Sequence, residues 1–299
     1  MSKYFDGKEL FTEPQVTQYG SHMIMTNVHK PNKKKYINMD TKFRDNYETS
    51  TLQYTISIPE RINDVKSLKI MNMEIPMTFY NISTTFQNTV FKITNLNTHK
   101  TLIVALNNNQ YTNDSIITAI NEIIAPEFHD LSIGLLNTKI FFTVTSNDEY
   151  SIEFDVNTDG SLKSNNLRFN LGWILGFRNV SYTFYNSLYA DSFIDLSGPR
   201  YLFLVLDEFV NGNPSSFVSS VSNSFISKNI IARISLDNKV YPYGSILPAL
   251  TTQYILSDRR NYTGKINLQR FHIQLLTDNG LSVDLNGLDY SFLMEVEHE

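Results

Sequence analysis

The stretch YTISIPERINDVKSLKIMNMEIPMTFYNIS, residues 54–83, decides the fold class of this chain. Apolar and polar residues alternate over residues 54–58, and this period of two predicts a half-buried β-strand. Pro59 has no N–H group to donate to a ladder, so we expect that strand to end there. Apolar residues are nearly continuous over residues 65–75, which predicts a second strand covered on both faces. The stretch therefore indicates a β scaffold.

The rest of the chain repeats this pattern. The alternation predicts further strands at residues 90–94, 101–106, 139–145, 151–155, 201–206, 230–236, 266–276 and 290–297. Asp278, Asn279 and Gly280 predict a tight turn after the strand that ends near Leu276, because Asn-Gly readily takes positive φ values. Many short strands separated by turns are typical of a sandwich or barrel.

One amphipathic helix interrupts the strands. It is predicted to follow Thr112 or Asn113, both good capping residues, and to end before Pro126. Strand pairs are predicted on both sides of this helix, so we expect residues 84–180 to form a strand–helix–strand module inserted into the β domain. A short helical turn is predicted at residues 166–171.

Composition limits the chemistry. The 299 residues include no cysteine and carry a net charge of −5, which rules out thiol nucleophiles and Cys-ligated metal centres and favours assembly in a reducing cytosol. Residues 1–70 hold 11 basic and 8 acidic groups, too small an excess for a dedicated nucleic-acid binder. The first residues lack the apolar core of a secretory signal, so we expect a soluble or peripheral protein.

Residues 1–34 show no sustained periodicity and are predicted to form an extended N-terminal arm. A basic cluster follows at the end of the arm. Its members are Lys33, Lys34 and Lys35, with Lys42 and Arg44 nearby. These cations can contact phosphates of nucleic acid or an anionic membrane. We favour the alternative, a solvated arm or an ion pair between subunits.

Motifs of catalysis and of phosphate binding are absent from the sequence. The six histidines show no ligand spacing, and Asp207 with Glu208 would face opposite ways on a strand, a poor pair for acid–base work. Trp173 lies in the glycine-flanked LGWILGF segment and can either stack on a ligand or fill a core. We expect no catalytic residue, no metal, no cofactor and no small-molecule substrate.

Several segments together resemble capsid proteins of nucleocytoplasmic large DNA viruses and related virophages and polinton-like elements. They are YINMDTKFRDNY (36–47), the Ile-Pro-x-x-Ile-x-x-Val-x-Ser-Leu pattern (58–68), EIPMTFYNIS (74–83), LGWILGF (171–177), YLFLVLDEF (201–209), NIIARISL (229–236) and the segment from RNYTGK to MEVE (260–297). Their order and number carry the resemblance, which covers most of the chain.

The resemblance implies a mainly β fold, a single jelly-roll antiparallel β-sandwich with an inserted α+β module. The jelly-roll core is then residues 35–83 and 181–299, and the module is residues 84–180. It also implies a non-enzymatic, penton-like or minor capsid protein that assembles in the host cytoplasm and resides in the virion.

The partners implied are further copies of the chain, expected as a homopentamer, and neighbouring major and minor capsid proteins. The N-terminal arm is expected to contact the genome or an inner membrane. The alternative hypothesis is a virion attachment or glycan-binding jelly-roll module that uses Trp173.

Overall fold

The described part of the chain is mainly β. The computed structural model describes residues 31–46, 53–163, 167–209 and 229–299, with 50% strand and 10% helix. The strands are β1 (Lys33–Asp40), β2 (Gln53–Pro76), β3 (Val90–Asn95), β4 (Thr101–Ala105), β5 (Leu131–Leu136), β6 (Lys139–Val144), β7 (Tyr150–Glu153), β8 (Ser181–Phe184), β9 (Ser187–Tyr189), β10 (Tyr201–Asp207), β11 (Ile230–Ser235), β12 (Ile246–Leu250), β13 (Ile255–Ser257), β14 (Arg260–Thr277) and β15 (Ser291–His298). The helices are α1 (Asn113–Ile124) and α2 (Leu171–Leu175), with 3-10 turns at Thr41–Phe43 and Leu167–Phe169.

The largest sheet has eight antiparallel strands. Its order is β1-β15-β2-β14-β10-β11-β13, and β12 also pairs with β2. The two longest strands, β2 and β14, pair with each other, and β2 also pairs with further strands. The start of β2 pairs with the end of β14, while the second part of β2 pairs with β15 and β12. The sheets curl into a half-barrel, consistent with a jelly-roll sandwich, and the predicted fold class is confirmed.

β2 is one continuous strand of 24 residues, so the predicted end at Pro59 is wrong. Ser57 pairs with Arg270 and Ile62 pairs with Leu268, and the ladder with β14 skips the residues between. The N–H group that Pro59 lacks is not needed at an unpaired position, so proline is tolerated there.

The core of this sheet is built from rows of opposed side chains. Met39, Phe292, Met73 and Ala249 occupy facing positions on β1, β15, β2 and β12, and all four are buried. Burying one large apolar side chain contributes about 1.5–3 kcal/mol. The second part of β2 is therefore buried on this face, but Lys69 and Asn72 on the other face are half-buried and Glu74 is exposed, so the prediction of a strand covered on both faces is wrong.

A second hydrophobic core belongs to the strands between β2 and β10. Here a four-stranded sheet (β4-β3-β7-β8) and a three-stranded sheet (β5-β6-β9) accompany α1. Ile116, Ile120 and Ile124 of α1 are fully buried. The Thr112 side chain accepts from the Ser115 N–H, and the Thr112 N–H donates to the Ser115 hydroxyl oxygen, so Thr112 is the N-cap of the predicted helix.

The domain boundaries stay predictions. β8 and β9 follow residue 180, the predicted end of the module, and pair with β7 and β6. Residues 1–30 of the predicted arm lie outside the described residues, while Lys33 and Lys34 lie in β1. None of the helices in the described ranges is long and apolar enough to cross a membrane.

Candidate functional site

Four of the five basic residues singled out from the sequence have carboxylate partners in the same chain. The pairs are Lys34–Glu295 (3.1 Å), Lys35–Glu60 (2.8 Å), Lys42–Asp40 (2.9 Å) and Arg44–Asp289 (3.2 Å). Lys33 is exposed at the start of β1. The cluster is thus spread along β1 and the turn after it. Its contact with an anion or a partner remains a prediction.

Glu295 is the centre of a charged network on the outer face of the sheet. Its carboxylate accepts from Arg259 at 2.6 Å, from Lys34 at 3.1 Å and from the Tyr36 hydroxyl at 3.2 Å. These donors, with Arg259 first, hold the pKa of Glu295 below its ordinary value. The network ties β1 to β15 and to the residue that precedes β14.

β1 is the end strand of the eight-stranded sheet. Within the described ranges β15 is its sole strand partner, so one side of its backbone has no neighbouring strand. Unpaired strand edges are templates for pairing with another chain, and lysines are a common means of restraining this. Lys33, Lys34 and Lys35 lie on this edge.

β12 exposes a row of apolar side chains. Ile246, Pro248 and Leu250 alternate with the buried Leu247 and Ala249, so the three share one face of the strand. Ile246 is 62% exposed and Leu250 is 46% exposed. This row, called the β12 row below, is an apolar surface at the margin of the sheet.

Trp173 lies in α2, beside a cleft of about 320 Å³ between the second core and the turn after β14. Both glycines of LGWILGF are required by the geometry. A Cβ on Gly172 would lie 2.3 Å from the ring of Phe154, and Gly176 ends the helix with a φ of 99°. The close approach at Gly172 and the backbone conformation of Gly176 fix α2. Trp173 then lies half-buried at the cleft wall.

Arg178 covers the indole ring of Trp173. Its guanidinium carbon lies 4.0 Å from the ring centroid, and its Nη1 donates to the carbonyl oxygens of Trp173 at 2.9 Å and Phe177 at 3.1 Å. Arg168 is farther from the same ring, at 5.7 Å. Trp173 therefore supports an arginine; ligand stacking by Trp173 itself remains a prediction.

Two of the side-chain amides that line the cleft, those of Asn81 and Asn88, are already occupied. Asn81 donates to the carbonyl oxygens of Tyr111 and Leu196 and accepts from the Tyr111 N–H. Asn88 donates to the Asn81 carbonyl and accepts from the Ser83 N–H. These amides bond to the protein itself, so they contribute to the fold and not to ligand recognition.

Two carboxyl groups also line the cleft. Asp195 accepts from the N–H and the hydroxyl of Ser197 and from Arg200 Nη2 at 3.3 Å. These bonds hold the pKa of Asp195 below its ordinary value despite partial burial. For Asp278, burial outweighs the backbone hydrogen bonds that its carboxylate accepts, so its pKa is raised.

The predicted turn at residues 278–280 forms the far wall of this cleft. Gly280 takes a φ of 84°, and the Gly280 N–H donates to the Thr277 carbonyl at 3.0 Å. The Thr277 N–H donates to the Leu281 carbonyl at 2.8 Å. The turn prediction is confirmed, and the fold brings it near Trp173, about 100 residues away in sequence.

Sequence reasoning missed a buried ion pair. A charge that follows an apolar strand usually lies at the surface, yet the Glu208 side chain is 0% exposed and Arg260 Nη1 donates to both of its carboxylate oxygens, at 2.7 and 2.8 Å. The Tyr262 hydroxyl donates to the same carboxylate at 2.6 Å. Burial and this carboxylate raise the pKa of Tyr262. The one available signal was the alternation of Arg260 and Tyr262 in RNYTG, which places both on one face of β14.

The remaining acidic candidate has a local role. Asp207 accepts from the Phe209 N–H at 2.8 Å, a turn contact at the end of β10. Over the ranges that the structure describes, no group of three or more His, Asp or Glu side chains is placed to hold a metal ion.

Comparisons with known proteins give a distant structural likeness. No protein-family model matches the chain, and no curated protein matches it. Among solved structures, the crystal structure of the selenomethionine-labelled mavirus penton protein is similar, with 13% sequence identity and a TM-score of 0.36. The match covers 89% of this chain and 100% of the mavirus protein.

Proposed function

We propose that this chain is a structural component of an icosahedral viral capsid, a penton-like or minor capsid protein that binds further copies of itself. The sequence resemblance across most of the chain and the jelly-roll type of fold support this role. It is a role in shell contacts, without catalysis. The virion is the proposed location, with assembly in the host cytoplasm.

The observation that carries the proposal is the β12 row. Exposed apolar side chains gathered on one strand face and bordered by polar residues are typical of interaction surfaces. Asn72 and Glu74 of β2 border this row, since Leu250 pairs with Asn72 and Pro248 pairs with Glu74. An interface core of this kind excludes water and contributes most of the binding free energy.

The partner we assign to the β12 row is a second copy of this chain. Heterologous contacts between one face of a subunit and a different face of the next close into a ring when the rotation per subunit divides a full turn. A homopentamer at a vertex satisfies this geometry. Neighbouring major and minor capsid proteins then contact the outer circumference, and the N-terminal arm contacts the genome or an inner membrane.

Sedimentation velocity of the full-length protein over a range of concentrations tests self-association through this row. The variant Ile246→Lys with Leu250→Lys is expected to weaken association by about tenfold or more per site, as for interface hot spots. Leu162→Lys is the matched control, because Leu162 is an exposed leucine, at 75%, located outside the β12 row. Equal association of all three proteins would contradict the assignment of the surface, and a strictly monomeric parent would contradict the proposed function.

A further inference from the structure

The cleft beside Trp173 has a chemical character that a shell contact does not explain. It is enclosed by α2 and the segments around it on one side and by the turn after β14 on the other, with about 320 Å³ of space. This lies at the lower end of the volumes of small-molecule sites. Three arginines line it, at positions 168, 178 and 200.

The hydrogen-bonding capacity left in this cleft is mostly that of donors. The amides of Asn81 and Asn88 bond to the protein itself, and Asp195 accepts from Ser197 and Arg200. A guanidinium group has five N–H donors and no acceptor. A ligand that binds these arginines must therefore supply acceptor atoms.

The guanidinium group of Arg178 is already held in a fixed position by the protein. The indole of Trp173 supports its guanidinium at 4.0 Å, and Nη1 is held by two backbone carbonyl oxygens. Among the described residues, Nε and Nη2 of Arg178 have no protein acceptor within hydrogen-bond distance. A guanidinium fixed in this way loses little side-chain entropy when it binds a planar or tetrahedral oxyanion.

Arg200 adds a second, more exposed donor. It is paired with Asp195 by one nitrogen at 3.3 Å, and its side chain is 77% exposed. A single long ion pair at an exposed site contributes little, so Arg200 exchanges Asp195 for a ligand at small cost. The cations of the cleft stand out on a chain whose net charge is −5, which makes them a local target for anions.

We propose that this cleft binds a small anion that carries a phosphate or a carboxylate group, with Arg178 and Arg200 as the recognising residues and Trp173 as the support for Arg178. Asp278 weakens anion binding, because its carboxyl group lines the same space and repels an anion when it is ionised. The site is distinct from the β12 row and does not depend on the proposed capsid role.

The test uses the fluorescence of Trp173, the one tryptophan of the chain. The full-length protein is titrated with inorganic phosphate and, separately, with citrate, against sodium chloride at matched ionic strength. We expect a saturable change with phosphate or citrate and none with chloride, and the two arms distinguish the two oxyanions. A response that follows ionic strength alone would overturn the proposal.

Three variants separate anion recognition from a structural role of the arginines. Arg178→Gln and Arg200→Gln should each weaken binding, Arg178→Gln by about tenfold or more, because a charge-assisted hydrogen bond is lost. Asp278→Asn should tighten binding, an outcome that a purely structural cleft does not produce. Unchanged affinity in Arg200→Gln together with weaker binding in Asp278→Asn would contradict the proposed chemistry.

Arg233→Gln is the matched control. Arg233 also lies 4.0 Å over an aromatic ring, that of Tyr201, but it does not line the cleft. Its substitution should leave the anion affinity unchanged, and an equal loss there would show a general charge effect in place of a site. Circular dichroism of each variant verifies that Arg178→Gln retains the fold.

Discussion

Substitution of Arg260 by methionine gives the largest stability change that the structure predicts. The side chains of Arg260 and Glu208 are 4% and 0% exposed, and two nitrogen–oxygen contacts of 2.7 and 2.8 Å join them. Removing Arg260 takes the cation away from the buried Glu208 carboxylate, and breaking a buried ion pair in this way costs about 3–5 kcal/mol. Arg260→Met also removes the donors of the Leu206 and Asn229 carbonyl oxygens.

The free energy of unfolding is measured by urea denaturation and followed by circular dichroism. We expect Arg260→Met to lower it by about 3–5 kcal/mol. Adding Glu208→Gln to Arg260→Met removes the buried negative charge and keeps an acceptor for Tyr262, so the double variant should recover about 1 kcal/mol or more.

Arg233→Met is the control for this experiment. Arg233 stacks on Tyr201 and donates to the Ser235 hydroxyl at 3.0 Å, in a half-buried position. Its loss should cost about 1 kcal/mol. A cost of Arg260→Met no greater than that of Arg233→Met, or a double variant less stable than Arg260→Met alone, would refute the reasoning.

Three further predictions concern other parts of the molecule. Glu295→Gln should lower the free energy of unfolding at neutral pH. The difference from the parent protein should shrink as the pH falls below about 4.3, the ordinary pKa of Glu, because a lowered pKa stabilises the fold only while the carboxylate is ionised. Urea denaturation over a pH series measures this difference, and a difference that stays constant with pH would contradict the prediction. Gly172→Ala should cost about 1–3 kcal/mol, since its Cβ would overlap the buried ring of Phe154, whereas Gly264→Ala, with nothing within 4 Å, should be nearly neutral in the same assay. Thr112→Ala removes the N-cap of α1 and should cost about 1 kcal/mol, and an unchanged melting temperature would contradict that role.

Local patterns predicted much of the fold. The helix start after Thr112 or Asn113, the buried face of β2 and the turn at residues 278–280 follow from capping, hydrophobic periodicity and turn chemistry, which depend on neighbours in sequence. Pro59 shows the limit of this approach. Whether a proline ends a strand depends on whether its partner strand needs the missing N–H, and that is set by the register with β14.

The candidate sites were less predictable because they join distant segments. The sequence indicated that Trp173 could stack on a ligand. The position of Arg178 over its ring and the presence of Asp278 in the same cleft could be predicted only from the tertiary fold. Glu208 and Arg260 are likewise far apart in sequence. A charge beside an apolar strand is usually solvated, so the buried pair could not be inferred from Glu208 alone.

The proposed role of this chain is that of a structural component of a viral capsid. The measurement that tests it most directly is a map of purified particles in which the chain is located by its density or by a bound antibody fragment. We expect closed rings of this chain at the vertices, with the β12 row at the contact between neighbouring copies. Purified particles that lack the chain, or that hold it as isolated copies with the β12 row facing solvent, would contradict it.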